Sequence, residues 1–159
     1  MGMETLKSEG DQVRAKTTPA SLKKIDRSIE EKVLYYSTQS KERISQRISQ
    51  LEREWDIERW LETNASSLAL LGLVLGLTKS RKYLLVTGGV LSFLLIHAIE
   101  GWCPPVPLLR KFGIRTRSEI DREKFALKVL RGDFQDVSRN PDAFKDHPAS
   151  EVISAVKES

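Results

Sequence analysis

Two apolar stretches divide the 159-residue chain into a charged N-terminal arm, an apolar centre and a charged C-terminal arm. Residues 63–78 and 83–99 contain no charged side chain, and only Lys79-Ser80-Arg81-Lys82 separates them. As α-helices rising 1.5 Å per residue, the stretches would be about 24 and 26 Å long, close to the thickness of a bilayer core. A soluble helix normally keeps a polar face, and neither stretch has one. The pattern therefore predicts a two-helix transmembrane hairpin.

The N-terminal arm shows the pattern of a charged amphipathic helix. Apolar residues from Ile44 to Trp55 recur at spacings of four, three and four, with charged and polar residues between them. Because no Gly or Pro interrupts it, we predict one continuous helix over residues 22–62, whose apolar edge either packs on protein or lies on lipid. Residues 1–21 are polar and rich in small residues, which predicts a disordered N-terminus.

The segment after the second stretch, "EGWCPPVPLLRKFG", has the composition of a membrane exit. Tryptophan is typical of the bilayer interface, and consecutive prolines cannot continue a helix, so we expect extended backbone through Pro107. The cations that follow suit lipid phosphates. The residues predicted at the membrane interface are Trp60, Trp102, Pro104, Pro105, Arg110 and Lys111.

The remainder of the C-terminal arm predicts a basic segment and one helix over residues 110–134. Ser118 and Asp121 have the spacing of a capping box at its start, and Gly132 is placed to end it. Residues 135–159 are expected to form a flexible tail with room for one short helix.

Small residues recur every four positions in both apolar stretches, in Gly72-x-x-x-Gly76 and in Gly88-x-x-x-Ser92. Such spacing lets helix backbones approach closely in lipid. These four positions are therefore predicted to pack helices together, within the hairpin, in a homodimer or higher oligomer, or in both.

The distribution of cations predicts the orientation of the hairpin. The net charge is +4, and seven cations flank the hairpin on the side of the two arms, against three in the loop. Positive residues favour the cytoplasmic side, so both termini are predicted to be cytoplasmic. The lipid bilayer is the expected partner, and nucleic acid is not, because the basic cluster is short and adjoins the membrane. The seven cations are Arg47, Arg53, Arg59, Arg110, Lys111, Arg115 and Arg117.

Cys103 is the only cysteine, which excludes an intramolecular disulfide and any multi-cysteine metal site. At the negative end of a helix, with Glu100 nearby, its thiolate is disfavoured. We therefore expect no catalytic residue, no cofactor and no metal, and a non-enzymatic scaffold or accessory protein. Two alternatives stay open: a thiol-dependent module for redox, sulfur or haem handling that uses Cys103 and His97, and an oligomeric pore for small ions or solutes. The absence of a row of intramembrane charges disfavours the pore.

Residues 54–134 carry the segments "EWDIERWLE", "LLGLVLG", "HAIEGWCPPVPLLRKFGIRT" and "EKFALK". With these segments the chain resembles the bacterial YgaP-like inner-membrane domain family, and most specifically at Gly101–Pro104. The resemblance implies an all-α, multi-pass protein of the bacterial inner membrane, built on a two-helix hairpin that dimerises. In a member of that family the hairpin is attached to a rhodanese domain that handles sulfur. No rhodanese loop is present here, so sulfurtransferase activity does not carry over.

Overall fold

Every element of the computed structural model is helical: the structure describes residues 11–134, and that range contains no strand. A 3-10 turn at Arg81–Tyr83 joins the two longest apolar helices. The α-helices are α1 (Gln12–Ala15), α2 (Pro19–Ser37), α3 (Lys41–Arg53), α4 (Ile57–Thr78), α5 (Leu84–Glu100), α6 (Val106–Lys111) and α7 (Arg117–Arg131).

The described residues form two compact units. The first contains residues 11–28 and 55–120, and the second contains residues 29–54 and 121–134. The boundaries between the units fall within α2 and α7.

The hairpin of α4 and α5 is the apolar part of the first unit. Gly72 and Gly76 bring the two helices together, since a Cβ at Gly72 would lie 2.6 Å from Thr87 Oγ1 and one at Gly76 would lie 2.5 Å from Leu84 Cδ2. The Thr87 hydroxyl also donates a hydrogen bond of 3.1 Å to the carbonyl of Ala69. Both helices are long and apolar enough to cross a bilayer. In the 18-residue segment that qualifies each of them, only 22% of the residues of the first and 6% of the residues of the second are buried.

The remainder of the first unit closes one end of this hairpin. We call residues 11–17, 57–62 and 101–119 the cap. Its apolar core contains Val13, Ile57, Leu61, Cys103 and Val106, with Leu109 and Ile114 packed against them. The cap and the loop at 79–83 lie at opposite ends of the hairpin, because α4 begins in the cap and α5 returns to it.

The second unit buries the apolar edge predicted from the sequence. Ile44, Ile48 and Leu51 of α3 are at most 4% exposed, so this part of the edge packs on protein rather than on lipid. Arg47 donates to the buried carboxylate of Glu123 through Nε at 2.9 Å and lies 2.8 Å from it through Nη2.

The predicted continuous helix over residues 22–62 is wrong. The chain forms α2, α3 and the start of α4, because two polar side chains cap new helices: Ser40 Oγ accepts from the Arg43 N–H, and Asp56 Oδ1 accepts from the Arg59 N–H at 2.8 Å. Caps of this kind satisfy the free N–H groups of a helix start without Gly or Pro.

The predicted disorder of residues 1–21 is also wrong where it can be compared. Asp11 caps α1, and Val13 and Arg14 are buried, so this segment is part of the cap. Residues 1–10, and the predicted flexible tail 135–159, lie outside the described residues.

The exit segment differs from its prediction as well. Pro105 has helical backbone angles and precedes α6, so the chain turns at Pro104-Pro105 and enters a helix instead of running extended to Pro107. Proline is compatible with the first turn of a helix, where its missing N–H would have no partner. The capping carboxylate at the start of α7 is Glu119, which accepts from the Thr116 N–H at 3.0 Å, two residues before the predicted Ser118–Asp121 box.

Candidate membrane interface

Glu119 is the centre of a buried charge cluster in the cap. Its side chain is fully buried, and Arg110 binds both of its oxygens, at 2.7 Å from Nη1 and 2.6 Å from Nη2. Arg14 adds a bond of 2.7 Å to Oε1, and the Thr116 N–H binds Oε2. The four bonds occupy the acceptor sites of the carboxylate, which is the condition under which a buried charge is tolerated.

The two arginines are satisfied by further groups of the same unit. Arg14 makes a bidentate pair with Asp26, at 2.9 and 2.6 Å. Arg110 donates to the Thr17 hydroxyl at 2.9 Å and to the Ile114 carbonyl at 3.0 Å. The cluster therefore joins α1, α2, α6 and the start of α7, which are distant in sequence.

The electrostatics of the cluster keep Glu119 ionised. Burial alone would raise its pKa, but the hydrogen bonds from Arg110, the Thr116 N–H and Arg14, with the charge of Arg110, outweigh burial and lower the pKa below its ordinary value. For Arg14, burial opposes the charged form, but the bonds to Asp26 and Glu119 prevail and raise its pKa.

The prediction that Arg110 contacts lipid phosphates is wrong. Its side chain is 1% exposed and is bound to Glu119, so the guanidinium is enclosed by the cap and is not available to a ligand outside it. Lys111 is exposed, and its place at a membrane interface stays a prediction. It lies on α6 beside two exposed apolar side chains, Leu108 at 55% and Phe112 at 74%.

Trp60, Trp102, Pro104 and Pro105 are all exposed at the same end of the hairpin. Trp60 stacks edge to face with Trp55 at 5.6 Å between ring centroids, and the Arg59 guanidinium lies 4.6 Å from the Trp55 ring. Sequence reasoning did not find this cluster, because Trp55 lies before the N-cap of α4, and only the break in the helix at Asp56 brings its ring to Arg59 and Trp60.

The predicted packing residues fall into two groups. Gly72 and Gly76 lie at the contact of α4 with α5. Gly88 and Ser92 are exposed, and a Cβ at Gly88 would meet no atom within 4 Å. The hairpin therefore uses the first pair and leaves the second uncovered.

Cys103 belongs to the apolar core of the cap, at 7% exposure, and burial raises the pKa of its thiol. His97 is half-buried on α5, and its Nδ1 is a buried atom without a hydrogen-bond partner in the described part of the chain. Among residues 11–134, no group of three or more His, Cys, Asp or Glu side chains is arranged to hold a metal ion.

His97 lines two hollows on the first unit. One is an apolar, partly open groove of about 460 Å³ between α4, α5 and the exit segment. The other, of about 660 Å³, contains the carboxylates of Glu58 and Glu62. Glu58 Oε2 is buried without a hydrogen-bond partner in the described residues, and burial raises the pKa of this side chain. The groove is lined by Trp60, Leu61, Asn64, Ala65, Leu68, Val90, Phe93, Leu94, His97, Cys103, Pro104, Pro105 and Leu109.

Compared with known proteins, the chain matches no family model, no curated protein and no solved structure. The assignment of a function therefore depends on the geometry of the hairpin and the cap.

Proposed function

We propose that the chain is a non-enzymatic integral membrane protein, a hairpin anchor that presents a folded helical cap at one membrane surface and serves as a scaffold or accessory subunit. The observation that carries this proposal is the exposure of large apolar side chains around α4 and α5. Soluble proteins rarely expose a contiguous apolar surface of this extent. The most exposed of these side chains are Leu70 at 62%, Leu77 at 75%, Leu85 at 79%, Leu95 at 62% and Ile99 at 65%.

The position of the charges supports the same proposal. Between Thr63 and Thr78, and between Tyr83 and Ile99, the side chains are uncharged, while the buried ion pairs of the first unit lie in the cap and α2. Lys111, Leu108 and Phe112 would lie at the lipid headgroups, where amphipathic side chains are stable.

The orientation and the assembly are parts of the proposal that depend on the sequence. The excess of cations beside the cap favours a cytoplasmic cap in a bacterial inner membrane, as the resemblance to the YgaP-like family implies. The uncovered Gly88 and Ser92 leave a surface of α5 open to a second copy, which supports a homodimer.

The thiol-dependent alternative has less support. A reactive cysteine needs a lowered pKa and access, whereas Cys103 is buried among aliphatic side chains that raise its pKa. The environment of Cys103 is that of a packing residue.

Flotation on lipid vesicles and extraction with alkaline carbonate test the proposal. The wild-type protein should float and stay in the pellet. Leu91→Arg should impair insertion, because an arginine at the centre of a spanning helix costs about 2.5–3.5 kcal/mol. Leu34→Arg is the matched control, since Leu34 is 72% exposed on the charged helix α2 and should tolerate the change. Recovery of the wild type in the soluble fraction would refute the proposal.

A further inference from the structure

The apolar groove between α4, α5 and the exit segment needs an occupant of particular chemistry. Its walls include Phe93 of the hairpin and Pro104 of the cap, so it runs from the apolar region toward the membrane surface. Its volume of about 460 Å³ lies within the range of ordinary ligand pockets, about 300–1,000 Å³. An occupant must therefore be apolar at one end and tolerate water at the other.

Two polar groups near the groove indicate what the outer end of the occupant carries. The first is Nδ1 of His97, a buried atom that has no hydrogen-bond partner within residues 11–134. A neutral imidazole with its proton on Nδ1 is a donor, and a carbonyl oxygen would satisfy it. The second is the exposed guanidinium of Arg59, which has no carboxylate at ion-pair distance among the described residues and lies on the ring of Trp55, next to Trp60 in the groove wall.

Glu58 and Glu62 line the other hollow, while the groove itself contains no acidic residue. The wall of the groove thus contains no charged side chain, and the guanidinium of Arg59, on the Trp55 ring beside Trp60, supplies a cation next to its outer end, where it is complementary to a phosphate.

We propose that this groove binds one anionic glycerophospholipid, with an acyl chain between α4 and α5, an ester carbonyl at His97 and the phosphate near Arg59. The site rests on the proposed membrane function, since the lipid is drawn from the bilayer in which the hairpin sits. Cys103 then serves as part of the apolar wall.

Native mass spectrometry of the full chain, released from nanodiscs of equal phosphatidylglycerol and phosphatidylcholine, tests the site. We expect one retained phospholipid per chain, with phosphatidylglycerol preferred about two- to fivefold, the preference that an exposed ion pair gives. Arg59→Gln should remove the preference. Lys79→Gln, a cation removed at the opposite end of the hairpin, should leave it unchanged.

Two further variants separate the groove from general lipid contact. Ala65→Leu fills the groove and should abolish retention, whereas Ala98→Leu, in the wall of the other hollow, should retain the lipid. His97→Phe keeps the groove apolar but removes the hydrogen bond to the ester carbonyl. Lipid retention should weaken about two- to tenfold, which corresponds to the net contribution of one hydrogen bond.

Equal lipid retention by Ala65→Leu and wild type would overturn the proposal. Retention of an apolar molecule other than a phospholipid would also overturn it. A third contradicting result would be that Ala65→Leu breaks up an oligomer and does not release a lipid. The same samples are tested by flotation. A protein that floats but retains no lipid refutes only the groove, whereas a protein that does not float refutes the proposed function.

Discussion

Gly101 shows how much one residue contributes to the closure of the cap. It ends α5 with φ of +67°, and its N–H donates to the His97 carbonyl at 2.7 Å. A Cβ here would lie 2.5 Å from Gln12 Cβ and 2.9 Å from the Gln12 carbonyl carbon, so α1 packs directly on this glycine. Both the backbone conformation and the close approach of α1 require glycine.

Replacement of Gly101 by alanine should therefore destabilise the cap more than the same change at Gly113. Gly113 also has a positive φ, +85°, but a Cβ there would meet nothing within 4 Å. Gly113→Ala should lower the free energy of unfolding by about 1–2 kcal/mol, the strain of a left-handed conformation at a residue with a Cβ. Gly101→Ala should lower it further, because the added Cβ also displaces α1. Thermal unfolding followed by tryptophan fluorescence should show this larger loss of stability. Equal losses would mean that α1 does not pack on Gly101.

Cys103 gives a second prediction at the residue scale. Because burial raises the pKa of its thiol, alkylation by a maleimide should stay slow at neutral pH and accelerate only above the ordinary thiol value of about 8.5. The rate is measured against pH in nanodiscs, with unfolded protein as the reference. An apparent pKa below about 7, or a persulfide or haem recovered on Cys103, would favour the thiol-dependent alternative.

At the scale of the elements, the contact of α4 with α5 predicts that two glycines differ in their tolerance of a side chain. Gly72→Leu places a side chain where Cβ alone would clash with Thr87, and overpacking of this kind typically costs about 1–3 kcal/mol. Gly88→Leu places the same side chain in open space. The melting temperature of the monomer in detergent should fall for Gly72→Leu and stay close to wild type for Gly88→Leu, whose side chain meets only the surface proposed for a second copy. The reverse order would mean that α5 packs on α4 through its other face.

The hairpin was predictable because its signal is composition sustained over many residues. The apolar stretches at 63–78 and 83–99 match α4 and α5 closely at their inner ends, although α4 begins earlier, at Ile57. The interruptions of the N-terminal arm were missed because they depend on single capping side chains, Ser40 and Asp56, within a stretch of good helix formers. Hydrophobic periodicity continues across such caps, so it cannot locate them.

The cap could not be predicted, because the contacts that bring α1 to it, Arg14 with Glu119 and Thr17 with Arg110, join residues about one hundred positions apart. Arg14 and Arg110 both look like surface cations in the sequence, and only tertiary packing places them on Glu119. Trp102 and Lys111 are exposed, which residue type alone could indicate because an exposed side chain needs no partner in the chain. Residue type could not indicate the buried ion pairs, and the interface role of Trp102 and Lys111 stays a prediction.

For the whole molecule, the buried cluster predicts acid sensitivity of the first unit. The folded-state pKa of Glu119 is lowered, so its stabilisation is complete above the unfolded value of about 4.3 and is lost as pH falls through the lower folded value. The contribution of Glu58 to stability depends on pH in the opposite direction. Its pKa is raised in the folded state, so its contribution is complete below the unfolded value of about 4.3 and is lost as pH rises through the higher folded value.

Glu119→Gln isolates the first of these contributions. At pH 7 the variant leaves two buried arginines without full compensation, and the loss of stability should be about 3–5 kcal/mol. The difference from wild type, measured by thermal unfolding at pH 7 and at pH 3, should shrink as pH falls. Glu123→Gln tests the pair with Arg47 in the second unit and is the matched control for a buried carboxylate. A difference that does not change with pH would contradict the ionised state of Glu119.

The central claim, that α4 and α5 cross the bilayer as a hairpin, is tested most directly by the sidedness of two introduced cysteines. In a Cys103→Ser background, Ser80→Cys lies in the loop and Lys111→Cys lies on the exposed face of the cap. Sealed vesicles are treated with a membrane-impermeant maleimide before and after permeabilisation. The account predicts that the two positions are labelled from opposite sides of the membrane, with Lys111→Cys on the cytoplasmic side. Labelling of both positions from the same side of intact vesicles would contradict it.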